Sequence, residues 1–176
     1  MRLFAAVFIP KHLSEKIYEY SEQIAADFGT KPVHSENMHI TLKFFGDKKT
    51  ENCLEILENS VRNIKAFEAD IKNTGFFSYG KFAGVLWAGV YGESNTLTKI
   101  ALNIDSSQNK YMPHITLARF KSDTVENEVL ERYLSENGMK EISFGRFKAE
   151  KLSLVESLSG ACSAQYKVLK DFCLGK

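Results

Sequence analysis

The sequence predicts an α+β fold in which two similar lobes, each built on an antiparallel sheet flanked by helices, share one site. The tetrapeptide His-Ile-Thr-Leu occurs at His39 to Leu42 and again at His114 to Leu117, so each half of the 176-residue chain holds one copy. Strands and helices alternate without a Gly-rich phosphate loop, and the last strands follow one another directly. A composition of 44% apolar and 26% charged residues is that of an ordinary globular protein.

In the first half of the chain, a short apolar run stops at Pro10, which predicts a strand because the run is too short to span a membrane. Apolar residues at helical spacing then predict two helices, the first of which ends at Gly29. The predicted order is a strand over 2–9, a helix over 13–28, the first repeat strand from His39, and a helix over 50–64.

The second half continues the alternation, and we expect a single domain over residues 1–176. Alternating apolar residues predict the strands, and caps and turn residues mark the helix ends. The predicted order is a hairpin of strands 67–77 and 85–90, a helix over 95–104, the second repeat strand from His114 to Phe120, a helix over 125–137 that ends at Gly138, and strands over 142–156 and 165–174.

Cysteine spacing and charge limit the location and the partners. Cys53, Cys162 and Cys173 are odd in number and form no C-x-x-C pair, which favours free thiols in a reducing compartment, the cytoplasm. A formal net charge of +1 gives no broad basic field. The protein would therefore bind a nucleic acid substrate locally, at a strand end or at a single phosphate.

The repeated motif carries the chemistry. In a strand, His-x-Thr places the imidazole and the hydroxyl on one face, while the isoleucine and leucine point to the other. With a pKa of about 6.5, one neutral imidazole can take a proton while a second, protonated one gives a proton away. The threonine hydroxyl can donate to a phosphate oxygen.

Two alternatives compete with this interpretation. A zinc site is disfavoured because neither copy offers a nearby Cys, Asp or Glu on the histidine face. A pair of buried strands with satisfied polar residues would explain one His-x-Thr, but the exact repetition of the polar pair argues against it.

The motifs and their flanks resemble the two-histidine (2H) phosphoesterase superfamily and, within it, the RNA 2',3'-cyclic phosphodiesterases, also called 2'-5' RNA ligases (LigT). The resemblance runs nearly end to end. It is carried by Arg2 to Ala5, Asn37 to Gly46, Val85 to Trp87, Pro113 to Arg119 and the region from Leu152 to Leu174, including Ser157 and Tyr166.

The resemblance implies a bilobal fold with pseudo-twofold symmetry around a central active-site cleft. It implies an enzyme that opens a ribose 2',3'-cyclic phosphate to a 2'-phosphate and can also join or cleave 2'-5' linkages. By similarity His39 would be the proton donor and His114 the proton acceptor, with Thr41 and Thr116 holding the phosphate. The symmetry of the motifs leaves the assignment of the two histidine roles open.

Further site residues follow from strand parity and from the resemblance. Parity places Lys43 beside the motif residues and Arg119 on the opposite face unless the strand bulges, whereas the resemblance favours Arg119 as a phosphate ligand. Phe4, Phe44, Phe45 and Tyr111 could stack on a base, although such residues more often belong to the core, and Phe45 and Tyr111 are the selected candidates.

The segment from Ile104 to Met112 is short beside its relatives, and we expect this to affect the grip on RNA more than the chemistry. The expected partners are RNA ends or cyclic-phosphate nucleotides, with no metal, cofactor or membrane, and the chain is expected to be monomeric. A phosphodiesterase acting on 2'-5' oligoadenylate or an ADP-ribose cyclic phosphate, and a nucleotide-binding module without catalysis, remain open alternatives.

Overall fold

The computed structural model describes residues 2–158 and 165–175. Within these residues the chain forms eight β-strands and four α-helices. They are β1 (Arg2–Phe8), α1 (Lys11–Asp27), β2 (His39–Gly46), α2 (Thr50–Val61), β3 (Phe67–Tyr79), β4 (Phe82–Gly92), α3 (Thr96–Ile104), β5 (His114–Arg119), α4 (Asn127–Glu136), β6 (Ser143–Ala149), β7 (Lys151–Leu158) and β8 (Gln165–Cys173). The four predicted helices are confirmed within a few residues, and Gly29 and Gly138 follow α1 and α4 with positive φ angles, as predicted.

The eight strands form one curled sheet in the order β6-β3-β4-β5-β2-β1-β7-β8, and the ladders between them are antiparallel. The repeat strands β2 and β5 lie side by side at its centre. Four strands lie on each side of their boundary, and we call β2, β1, β7 and β8 the first lobe and β5, β4, β3 and β6 the second lobe. The predicted α+β class is confirmed, with the sheets of the two lobes joined edge to edge.

The lobes are interlocked through their helices. Helix α1 follows β1 of the first lobe but packs against β5 and β6 of the second. Helix α3 follows β4 of the second lobe but packs against β2 of the first as well as against β4. Buried side chains from all four helices join one core with the motif's apolar residues, Ile40, Leu42, Ile115 and Leu117. The helices therefore cover the isoleucine and leucine face of the repeat strands, which leaves the other face open.

One predicted strand is wrong. The sequence predicts a single strand over 142–156, but the chain breaks at the exposed Glu150 into β6 and β7. Strand β6 pairs with β3 in the second lobe and β7 pairs with β1 in the first. Since one residue connects the edge strand β6 to β7, the strand next to the opposite edge, the two ends of the sheet must approach each other, and the sheet curls. Apolar alternation alone cannot reveal such a change of partner.

Two of the three cysteines lie within the described residues. Cys53 is buried, Cys173 is exposed, and both carry free thiols. Cys162 lies outside the described residues. Among the helices that the structure describes, none combines the length and the apolar character needed to cross a membrane.

The centre of the sheet should be sensitive to truncation. Ile115 is fully buried at the junction of the lobes, so we expect Ile115→Ala to lower the free energy of unfolding by about 2–5 kcal/mol through lost burial and the cavity left behind. Urea denaturation of the variant measures this loss. The control is Val129→Ala on α4, where the valine is 49% exposed; equal losses in the two variants would contradict the central role of the β2–β5 contact.

Candidate functional site

The two copies of the motif meet where Ile40 pairs with Ile115 in antiparallel register. This register sets His39 opposite Thr116 and Thr41 opposite His114. Directly opposite side chains share a face with Cβ atoms roughly 4.5–5.5 Å apart, and diagonal neighbours are roughly 7–8 Å apart. The four half-buried side chains form a quartet on the open face, with the histidines on one diagonal and the threonines on the other.

Both imidazoles are held in the same way. His39 Nδ1 lies 2.6 Å from the carbonyl oxygen of Asn37, and His114 Nδ1 lies 2.8 Å from that of Met112. A carbonyl oxygen can only accept, so each Nδ1 must carry the proton of its hydrogen bond. The Nε2 atom of each ring is therefore the one left to exchange a proton with a bound group.

Aromatic side chains surround His39. The ring centroids of Phe4 and Tyr166 lie 5.0 Å and 5.1 Å from that of His39, and Phe8 lies at 5.7 Å. Phe4 is almost fully buried and, with Val155, forms a small apolar cluster separate from the main core. The open face of the first lobe is thus an apolar wall beside the quartet.

His114 has a matching but sparser environment. Phe77 meets its ring edge to face at 5.0 Å, and the Trp87 ring lies 5.7 Å from that of Phe77. Nothing in the sequence marks Phe8 or Phe77 as site residues. Tyr166 belongs to the closing region that resembles the family, and Phe4 shows the apolar and aromatic character of a core residue.

Burial and charge both act on the two histidines. Burial lowers the pKa of His39 and of His114 because it disfavours the imidazolium, while the carbonyl bonds at Nδ1 oppose this change. The charge of Arg119 lowers both pKa values further, and a proton on His114 lowers the pKa of His39. A proton on either imidazole therefore opposes a second one, and the doubly protonated pair is disfavoured.

A β-bulge brings Arg119 to the quartet. Thr116 of β5 pairs with Trp87 of β4, and Ala118 pairs with Leu86, the residue next to Trp87. Leu117 therefore has no partner on β4 and is the extra residue of the bulge. An extra residue shifts the alternation of side chains, and positions beyond it change face. Arg119, which unbroken parity would place on the helix side, lies within electrostatic range of both histidines and Tyr166.

The first repeat strand has a bulge at the equivalent leucine and a second register shift at Phe45. Ala6 pairs with Thr41 and Ala5 with Lys43, so Leu42 is the extra residue of β2. Lys43, which parity predicts beside the quartet, instead turns away and forms an ion pair with Asp105 at 2.5 Å.

The proposed stacking residues need correction. Phe45 is 8% exposed and packs in the main core, as does Phe120, which lies at the same distance from the second histidine. A buried ring offers no face to a base, so the prediction for Phe45 is wrong. Tyr111 packs against the core, and its hydroxyl donates to the carbonyl oxygen of Thr41 at 2.9 Å. Burial raises the Tyr111 pKa, which keeps this donor protonated.

The short segment before the second motif is tied down at both ends. Asp105 accepts hydrogen bonds from Lys43 and from the amide and hydroxyl of Ser107, and these bonds hold the pKa of Asp105 well below its usual range. Gln108 Nε2 donates to the carbonyl oxygen of Ala101 at 2.9 Å. With the Tyr111 contact, the segment anchors the start of β5 to β2.

The other two histidines of the chain, His12 and His34, lie outside the motif. Both side chains are exposed, and His34 lines a surface cavity together with Phe8 and Tyr166. Over residues 2–158 and 165–175, no group of three or more His, Cys, Asp or Glu side chains is arranged to hold a metal ion.

Known proteins match this chain over nearly its whole length, in sequence and in architecture. A family model described as LigT-like phosphoesterase matches residues 7–87, which include the first motif. The RNA 2',3'-cyclic phosphodiesterase of Methanocaldococcus jannaschii is 32% identical, over 98% of this chain and 100% of that protein. The protein of the same name from Aquifex aeolicus is 29% identical, over 99% and 98%. A crystal structure from Thermus thermophilus superposes with a TM-score of 0.77 at 26% identity, covering all of both chains.

The histidine environment leads to a titration prediction. Because burial and Arg119 both disfavour the imidazolium, we expect His39 and His114 to titrate below pH 6.5. Removing the guanidinium charge in Arg119→Gln should raise both pKa values. Proton NMR of the imidazole C–H signals across the pH range measures the change, and Arg132→Gln on α4 is the charge-matched control. Histidine pKa values that stay unchanged or fall in Arg119→Gln would contradict this account of the site.

Proposed function

Because the chain belongs to the family of LigT-like phosphoesterases, we propose that it hydrolyses ribose 2',3'-cyclic phosphates, on RNA ends or nucleotides, to 2'-phosphates. The single observation that carries this proposal is the quartet, in which two symmetry-related imidazoles lie diagonally across two hydroxyls. Relatives named RNA 2',3'-cyclic phosphodiesterase match almost the whole chain and support the choice of substrate.

The diagonal arrangement of the two histidines suits a displacement reaction at phosphorus. In-line attack puts the entering and the leaving oxygen on opposite sides of the phosphorus atom, and the two imidazoles occupy opposite ends of the quartet. Neutral His114 takes a proton from water at Nε2 while the water oxygen bonds to phosphorus. The bond from phosphorus to O3' breaks, and protonated His39 gives its proton to O3'. The product carries a 2'-phosphate and a free 3'-hydroxyl.

The other polar groups stabilise the phosphate as charge develops on it. Thr41 and Thr116 donate from the second diagonal to the non-bridging oxygens. Arg119 adds a cation at the edge of the quartet, and it can pair with two oxygens at once. The same cation disfavours the imidazolium in the free enzyme, so a bound phosphate anion restores the protonation that the acid needs.

The same site can run a ligation. If a 5'-hydroxyl replaces water, His114 takes its proton, O3' leaves with the proton from His39, and a 2'-5' linkage forms. The reverse of that step cleaves the linkage back to the cyclic phosphate. Each cycle exchanges the protonation states of the two histidines, so a proton must return to His39 through solvent before the next turnover.

Loss of either imidazole should abolish most of the activity. We expect His39→Ala and His114→Ala each to lower kcat for a nucleoside 2',3'-cyclic phosphate by about 10²–10⁴-fold, the usual contribution of a general acid or base. Turnover is measured in EDTA, because the proposed mechanism uses no metal ion or cofactor. His12→Ala, on the exposed part of α1, is the matched control and should retain full activity.

Analysis of the products tests direction and regiochemistry. A short RNA that ends in a 2',3'-cyclic phosphate should give a terminal 2'-phosphate, and with a 5'-hydroxyl RNA in excess it should give some 2'-5' joined product. Exclusive formation of a 3'-phosphate, or no turnover in EDTA, would refute the proposed function.

The pH profile should be bell-shaped, since one histidine must be neutral and the other charged. The profile of kcat/KM reports the free enzyme, in which both histidine pKa values are lowered, so we expect its maximum on the acidic side of pH 6.5. A bound phosphate favours the imidazolium, and the maximum of kcat should therefore lie at higher pH. Stopped assays from pH 4 to pH 9 measure both profiles, and a plateau without an acid or an alkaline limb would contradict paired catalysis.

A further inference from the structure

A row of three residues crosses the second lobe at His114. Gly89 of β4 lies directly opposite His114 in the strand register, and Lys72 of β3 lies opposite Gly89. Directly opposite residues share a face of the sheet, so all three belong to the open face that carries the quartet. The row covers two strand spacings, roughly 10 Å, which is about the length of one nucleoside.

The glycine in this row leaves room for a neighbouring aromatic ring. A methyl group in place of the Gly89 hydrogen would lie 3.1 Å from Cε2 and 3.2 Å from the hydroxyl oxygen of Tyr91. The ring of Tyr91 thus covers the position that a side chain would occupy, and it is 48% exposed. The neighbour of His114 on this side is therefore a tyrosine ring that a ligand can reach.

A cavity opens between this ring and the start of β5. Its volume is about 210 Å³, and its lining includes Trp87, Tyr91, Met112 and Pro113. Met112 is 37% exposed, and its carbonyl oxygen accepts the hydrogen bond from His114 Nδ1. Pockets for drug-sized ligands occupy roughly 300–1,000 Å³, so this smaller cavity suits a single ring system such as a nucleobase.

The charges on the two sides of the tyrosine ring are opposite. The ammonium of Lys72 lies 5.0 Å from the centre of the Tyr91 ring. Tyr91 also lines a second cavity, together with Glu68, Glu93 and an aspartate–arginine ion pair. A phosphate in that cavity would meet carboxylates, whereas a phosphate beside Lys72 meets a cation. A nucleotide on the ring would therefore direct its phosphate toward Lys72.

We propose that this part of the second lobe is an acceptor site, which binds the nucleoside whose 5'-hydroxyl attacks the cyclic phosphate and so sets the balance between joining and hydrolysis. The inference rests on the proposed function, in which His114 takes the proton of the attacking group. The 5' oxygen bonds to phosphorus as O3' leaves with the proton of His39. The base of the acceptor packs against Tyr91, and its 3'-phosphate lies beside Lys72. An acceptor held next to His114 competes with water through its raised effective concentration.

Competition between water and an acceptor provides the test. The donor is 5'-O-methyladenosine 2',3'-cyclic phosphate, which has no 5'-hydroxyl of its own, and the acceptor is adenylyl-(3'-5')-adenosine. We expect Tyr91→Ala to lower the ratio of joined to hydrolysed product by about 5- to 150-fold, the range for loss of one base–aromatic stack. Tyr91→Phe, which keeps the ring, should retain the ratio, and so should Tyr79→Ala, which removes an exposed ring at the end of β3.

A second acceptor tests the charge of Lys72. Adenosine offers the same base and 5'-hydroxyl as the dinucleotide but carries no phosphate. We expect Lys72→Gln to lower the product ratio by about 2- to 5-fold for the dinucleotide, as for an exposed ion pair, and to leave it unchanged for adenosine. Lys11→Gln, exposed at the start of α1, is the charge-matched control. An equal effect on both acceptors would overturn the placement of the phosphate.

Two further results would overturn the acceptor site while the proposed function stands: hydrolysis by the wild type without any joined product, or an unchanged product ratio in Tyr91→Ala. If the wild type hydrolyses no cyclic phosphate, the proposed function fails, and calorimetry then compares adenylyl-(2'-5')-adenosine with adenosine 2'-phosphate. Tighter binding of the dinucleotide that is lost in Tyr91→Ala would still support the acceptor site. Equal binding of the two ligands by the wild type would refute it.

Discussion

The pairing of Ile40 with Ile115 is the contact on which the site depends. It joins two equivalent residues of the repeat, and an antiparallel register centred on equivalent residues is symmetric by construction. A shift by one residue would send every motif side chain to the other face. The buried isoleucines and leucines prevent this shift, because the alternative would move them into water and the histidines into the core. The apolar half of each motif thus determines where the polar half is displayed.

The two bulges add what a regular ladder cannot. Regular alternation would place Lys43 on the site face and would bury Arg119 and Phe44 beneath the helices. One extra residue in each strand reverses these positions, so Lys43 pairs with Asp105 while Arg119 and Phe44 flank the quartet. Because the bulges occur at the same leucine of each repeat, the backbone keeps its symmetry where the side chains have diverged. The polarity of the site therefore comes from side chains on a symmetric frame.

The surroundings of the quartet control its protonation. Burial and the charge of Arg119 both disfavour protonated imidazoles. The hydrogen bonds from Nδ1 to backbone carbonyl oxygens hold both imidazole rings in place. In the proposed mechanism, a bound phosphate supplies the negative charge that favours the protonated imidazole. The helices hold the two lobes together, because α1 packs against strands of the second lobe and α3 packs against β2 of the first. Such bracing holds the two halves of the quartet in one geometry.

The amino-acid sequence by itself determined the class of the fold, the helices, the repeat strands and the four side chains of the quartet. These are local or periodic properties, set by the alternation of apolar and polar residues and visible because the motif is repeated. Only the tertiary structure decided which strands are neighbours, where the chain crosses between the lobes at Glu150, and which residues beyond the motif face the site. The selection of Phe45 as a stacking residue failed for this reason. A bulge is defined by the partner strand, and strict alternation along one strand cannot show the extra residue that exchanges the faces of Phe44 and its neighbours.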